Sequence, residues 1–209
     1  MSTELGEKKS EPIFFISDTH FGHRKILTYI DRPFSDCEVM DQELITRWNS
    51  VVPENGLVYH LGDFALPFND KTSLRERFQH YFQQLNGKIV LIKGNHDRYL
   101  YRTASESGVF CSRQGYPVYL CDSFYHWCLI EDVSGSYHVH MTHKPMHPRL
   151  HKKMKRDEFD VFLHGHEHGN SFPAPPDYLD LSVELHNYTP VSFEQIIKLI
   201  KKKRKKHAK

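Results

Sequence analysis

Short apolar runs alternate with longer polar stretches along this 209-residue chain. Five of the runs, at positions 13–16, 57–61, 89–92, 139–141 and 161–163, have strand length and are rich in Ile, Val and Leu. Between them the spacing becomes helical. Met40, Leu44 and Trp48 recur at i, i+4 and i+8 behind Ser35 and Glu38, a pair that predicts a capping box and a helix ending near Val52 and Pro53. Leu74, Phe78, Phe82 and Leu85 form the core-facing stripe of a second helix over 73–84. Segments 24–30 and 99–107 also read as helical. From 116 to 133 the spacing is strand-like, Gly135-Ser136 reads as a hairpin turn, and a strand follows over 137–142. Segment 178–185 alternates Leu179, Leu181, Val183 and Leu185 with Asp180, Ser182 and Glu184, which predicts a strand covering one sheet. Ser192 with Gln195 forms another capping box, and Phe193, Ile196, Ile197 and Ile200 give the closing helix its apolar face. Such alternation of strands and helices predicts an α/β layered fold.

Composition narrows the class. With 39% hydrophobic and 13% aromatic residues the chain can bury one sizeable core. No stretch has the length of a membrane span, so no membrane partner is expected. Residues 1–11 are polar and lack the apolar core of a signal peptide, which predicts a flexible tail, a domain over 12–200 and a cytoplasmic protein. Cys37, Cys111, Cys121 and Cys128 have no CxxC spacing and read as buried thiols. The net charge of +2 hides an asymmetry: eight of the 28 basic residues lie from Lys198 onward, and the rest of the chain balances to −6 against its 26 acids. Residues 201–209 therefore read as a solvent-exposed basic tail, suited to salt-sensitive nucleic-acid contact or, in a eukaryotic host, to a nuclear address.

The chemistry lies just past the strands. Asp18 and His20, Asp63, Asn95 with His96 and Asp97, His143, and His166 with His168 all occupy loop positions at the ends of apolar runs. Together they offer the oxygen and nitrogen ligands that two neighbouring divalent metals need. Two cations a few ångströms apart repel, so they need a shared anion, for which Asp63 is the natural bridge. Neutral imidazoles and the Asn95 amide bind metal without the excess negative charge that would repel a phosphate. The absence of cysteine argues against a closed thiolate zinc site and leaves manganese, iron or zinc, with manganese the first expectation.

These blocks, Asp18-x-His20, Gly62-Asp63, Gly94-Asn95-His96-Asp97, His143 and Gly165-His166-x-His168, resemble in content and order the calcineurin-like metallophosphoesterase superfamily. The resemblance runs from about Pro12 to Ile200. Phe21-Gly22-His23, Arg32-Pro33-Phe34, Trp48-Asn49 and Leu181-Ser182-Val183-Glu184 look like its small bacterial and phage-type branch. It implies a two-sheet β-sandwich flanked by helices, with metals at one edge. It also implies in-line attack on a phosphomonoester or phosphodiester by a metal-bridging hydroxide. One metal would take Asp18, His20, Asp63 and His168, the other Asp63, Asn95, His143 and His166. His96 would protonate the leaving oxygen, with Asp97 either orienting it or capping a turn. His23, Arg24 and Arg32 are candidate substrate contacts, Arg24 and Arg32 through their guanidinium forks. His60 and His164 read as core or supporting residues, and His80, His126, His138, His186 and His207 as ordinary surface or core histidines. The GDxxDRG signature of Ser/Thr protein phosphatases is absent, since Phe-Ala-Leu-Pro follows Asp63, which disfavours a phosphoprotein substrate. A basic loop at 144–156 could hold a polyanion beside His143, which keeps a nuclease acting on DNA or RNA as an alternative, alongside a catalytically silent metal-stabilised binding module.

Overall fold

The computed structural model describes residues 11–67, 72–121, 125–132, 135–147, 149, 152–153, 160–170 and 175–207. Among the described residues, nine strands form two sheets. The first contains β1 (Ile13–Ile16), β2 (Leu57–His60), β3 (Lys88–Ile92), β4 (Tyr119–Cys121) and β9 (Val191–Ser192), in the order β4-β3-β2-β1-β9. The second contains β5 (Tyr125–Asp132), β6 (Gly135–Thr142), β7 (Asp160–His164) and β8 (Tyr178–Asp180), in chain order. Strands β1 to β4 run parallel, as do β6 to β8, while β9 and β5 are antiparallel additions.

Side-chain alternation explains why β1 reads as an unbroken apolar run. Phe14 and Ile16 face a helical layer, whereas Phe15 faces the interior between the sheets. The helical layer is α1 (Ile26–Tyr29), α2 (Cys37–Val51), α3 (Leu74–Phe82) and α4 (Arg98–Ser107), with Met40, Leu44, Trp48, Phe78, Phe82 and Leu100 among its buried residues. The inter-sheet core joins Leu61 and Ile92 to Val139, Met141, Val161 and Leu163, and is closed by Ile196, Ile197 and Ile200 of α5 (Phe193–His207).

Element ends differ from expectation in physically readable ways. Asp36, not Ser35, caps α2: its carboxylate accepts from Val39 N at 2.8 Å, and Ser35 Oγ donates to that same carboxylate. A full capping box instead opens α3, between Ser73 and Glu76. The strand expected over 178–185 stops at Asp180, because Ser182 turns back to hydrogen-bond Asp180 and a single 3-10 turn, Val183–His186, follows. Gly135 and Ser136 are already paired within β6, so the hairpin turn lies outside the described residues. Glu11 is held by Lys88 at 2.7 Å, and residues 1–10 lie outside the described set. The expected free tail is also corrected. Through His207 it continues α5, with Arg204 Nε on Asp177 and Lys203 Nζ on the Tyr178 carbonyl, both at 2.6 Å.

The parallel strands β1, β2, β3, β6 and β7 deliver their C-terminal ends to one edge of the sandwich. There the sheets are stitched together by Ser17 N donating to Leu181 O and Val183 N donating to Ser17 O. That edge is where loops leaving several strands converge.

Candidate metal centre

The loops at this edge are held in unusual conformations. Asp18, His20, Asp63, His166 and His168 all have φ between 48° and 73°, the left-handed region that costs a side-chain-bearing residue about 1–3 kcal/mol. The loops pin one another there. Asp18 N donates to Gly62 O, His20 N to Asp63 O, His166 N to Asp18 Oδ2, and His96 N to Asp63 Oδ1, all at 2.8–3.0 Å. Glycines permit the approach: a Cβ on Gly94 would run into the Asp63 amide and carboxylate, and one on Gly165 into Ser17 Oγ and Asp18 Oδ2.

All seven expected ligands come together. Asp18, His20 and His168 form one cluster, and Asp63, His143 and His166 another, with the ligand atoms of each within 4.8 Å of one another. A single carboxylate oxygen, Asp63 Oδ2, stands 3.6 Å from His20 Nε2 and 3.4 Å from His143 Nε2 and so faces both clusters. Asn95 Oδ1 lies 2.9 Å from His143 Nε2, on the second side. Two histidines are oriented from behind. His143 Nδ1 contacts the Leu61 carbonyl at 3.0 Å and His168 Nδ1 the Glu184 carboxylate at 3.0 Å, which puts the proton on Nδ1 and frees Nε2.

The donor set fits divalent cations. Asp18 Oδ1 and His20 Nε2 are buried, lack hydrogen-bond partners and lie 3.8 Å apart. Such atoms are costly unless something charged sits between them. Electrostatics agree. Burial raises the Asp18 carboxyl to about 6. Burial opposes protonation of His143, but its hydrogen bond to Asp63 and the Asp18 and Asp63 charges outweigh that and raise it to about 9. For Asp63 the raising effect of burial is overcome by His143 and His20, which hold the carboxyl well below its usual range. The cluster therefore demands positive charge, as protons or as metal.

Comparison with known proteins agrees with this geometry. The family model for calcineurin-like phosphoesterases matches residues 11–170. An uncharacterized protein of Methanocaldococcus jannaschii is 35% identical over 199 residues, which span 91% of this chain and 92% of that one. This chain belongs to the calcineurin-like phosphoesterase family. A protein of unknown function from Aquifex aeolicus shares the fold, with a TM-score of 0.64 and 24% identity over 90% of this chain and 99% of its own. The match to the structure of an archaeal phosphodiesterase covers 82% of each chain at 21% identity, with a TM-score of 0.39.

The remaining predicted residues of this calcineurin-like phosphoesterase take different places. His96 is 43% exposed, with Nε2 3.8 Å from Asp63 Oδ2, at the open side of the centre. His23 is half-buried between His20 and His96, its Nδ1 3.3 Å from that of His20. Asp97 does not orient His96. Its fully buried carboxylate accepts from Asp63 N, Phe64 N and Gly94 N, tying the second and third loops together. Arg32 cannot reach a substrate, because its buried guanidinium donates to the Asp18 and Thr19 carbonyls and pairs with Glu184 at 2.7 Å. Arg24 is exposed and paired with Glu38 at 3.0 Å. His60, fully buried against Thr19 Oγ1, supports the first loop from below. None of His80, His126, His138, His186 and His207 belongs to either cluster.

Glu184 is the site residue that sequence reasoning missed. On the expected strand it fell on the outward face; the 3-10 turn swings it between Arg32 and His168. The Leu-Ser-Val-Glu block carried the resemblance without assigning the carboxylate a partner.

Proposed function

We propose that this chain is a dinuclear-metal phosphoester hydrolase. The observation that carries the reading is Asp63 Oδ2, which faces His20 Nε2 and His143 Nε2 from between two clusters of nitrogen and oxygen donors. Asp18, His20, Asp63 and His168 would hold one divalent ion, and Asp63, Asn95, His143 and His166 the other, with manganese, iron and zinc all compatible with such ligands. When bound, such a pair supplies an activated water and neutralises charge on the phosphoryl oxygens.

The protein's own residues do the rest. Glu184 and the Leu61 carbonyl keep His168 and His143 facing inward, and Asp97 fixes the loop that carries Asp63. His96, exposed at the open side, donates a proton to the leaving oxygen as its bond to phosphorus breaks. His23 lies beside it, within reach of a phosphoryl or ester oxygen.

The nuclease reading draws support from the basic loop, where Lys144, His147, Arg149, Lys152 and Lys153 are exposed following His143. The basic end of α5 does not add to it. Arg204 reaches the carbonyl of Asp160, the first residue of β7, whereas the centre lies beyond that strand's last residue, His164. A silent binding module would have no need of a complete donor set with an exposed histidine beside it.

The test is hydrolysis of bis-p-nitrophenyl phosphate with added manganese, before and after chelation, followed by a panel of nucleotides, cyclic nucleotides and single- and double-stranded nucleic acids. Metal-dependent turnover is expected. Undiminished turnover in the chelated protein would refute the reading.

A further inference from the structure

A cleft of about 1320 Å³ lies beside the candidate metal centre between α1, α2 and α3, and the two site residues on its wall are His23 and His96. If His96 protonates the leaving oxygen, the leaving group must lie on this side. The space far exceeds what a phosphate or a simple phenol needs and is of the size that holds larger organic ligands.

Its lining adds chemistry. Tyr29 is 66% exposed and stands edge-on to His23, with ring centroids 6.3 Å apart. Lys25 is exposed without an acidic partner among the described residues, and Tyr29 N donates to Lys25 O, so one helical turn sets the ammonium and the ring on the same side of α1. The acids of the cleft are already engaged. Glu38 pairs with Arg24, Glu76 caps α3, and Asp41 accepts from Gly22 N and the Tyr81 hydroxyl. Arg75 and Arg77, by contrast, donate to backbone carbonyls and pair with no acid among the described residues. An aromatic face, a free ammonium and a cationic wall beside a phosphoryl-transfer centre are what a nucleotide strand requires.

We propose that the substrate is a phosphodiester whose leaving side is a nucleoside or single-stranded oligonucleotide, its base stacked on Tyr29 and its next phosphate near Lys25. This rests on the phosphoesterase reading above. In the reaction a water oxygen bonds to phosphorus as that water releases a proton to solvent, the bond from phosphorus to the nucleoside oxygen breaks, and His96 gives the departing oxygen a proton and takes one back from solvent.

Two measurements separate this inference from the reading beneath it. The first is fluorescence anisotropy of a labelled tetrathymidylate with the full chain in chelator, where no turnover occurs. Saturable, salt-sensitive binding is expected, weakened about tenfold by Tyr29→Ala, retained by Tyr29→Phe and weakened further by Lys25→Glu. The second is the ratio of kcat/KM for thymidylyl-thymidine to that for bis-p-nitrophenyl phosphate with manganese, which should fall about tenfold in Tyr29→Ala, mainly through KM. Binding unaffected by either variant, or an unchanged ratio, would overturn the cleft assignment even if the small ester is hydrolysed. Tetrathymidylate binding that depends on Tyr29, in a protein that hydrolyses no ester, would keep the cleft assignment and refute only the catalytic reading.

Discussion

Glu184 accepts from His168 and is itself held by Arg32, a chain of contacts that runs from the start of the 3-10 turn to the Nδ1 side of a candidate ligand ring. Its carboxylate fixes the ring and raises its basicity, so Glu184→Gln should weaken metal binding on the Asp18 side by about 10–100-fold. Binding on the His143 side should change much less. Calorimetric titration with manganese checks this, and equal weakening of both sites would assign Glu184 a merely structural role. His96 makes a different prediction. His96→Ala should slow esters with poor leaving groups by about two to four orders of magnitude, and should slow p-nitrophenyl esters far less, with metal content unchanged. Equal losses on both would point to substrate binding instead. The pH dependence follows from His143. Its proton, kept up to about 9 in the metal-free protein against 6.5 for a free histidine, must leave before Nε2 can ligate. That proton's contribution to metal-free stability is present below 6.5 and lost as pH rises through about 9, so apparent manganese affinity should increase across the same window. Flat affinity between pH 6.5 and 9 would contradict this.

At the scale of elements, strand ends were legible because β1, β2, β3, β6 and β7 each end on mostly buried apolar positions and are followed at once by polar loops. The seven candidate ligands could be picked out because each stands at such a junction. What the sequence concealed depends on side-chain hydrogen bonds that periodicity does not record. Asp36 rather than Ser35 captures the first free N–H groups of α2, Ser182 folds back on Asp180 and ends β8, and Arg204 finds Asp177 and turns a basic tail into the last turns of α5. Arg32 illustrates the same gap, since its guanidinium is absorbed by the Asp18 and Thr19 carbonyls and by Glu184. The left-handed ligand loops also make a prediction. Gly165→Ala would drive a methyl into Ser17 Oγ and Asp18 Oδ2, costing about 1–3 kcal/mol and weakening metal binding on the Asp18 side. Thermal unfolding and metal titration of the variant measure both effects, and wild-type values for both would mean the loop tolerates a displacement that its contacts forbid.

For the whole molecule, the metal centre sits where two separately paired sheets meet. Asp18, His20, Asp63 and Asn95 come from the first sheet's loops, and His143, His166 and His168 from the second's. Neither sheet alone carries a complete set, and the proposed bridge between them is Asp63. The most direct test is manganese stoichiometry by equilibrium dialysis, with turnover of bis-p-nitrophenyl phosphate measured on the same samples of wild type and Asp63→Ala. A shared carboxylate predicts two ions per wild-type chain, turnover that appears only as the second ion binds, and an Asp63→Ala protein that folds, holds fewer than two ions and loses nearly all turnover. Full turnover with a single ion, or in Asp63→Ala, would contradict the dinuclear centre.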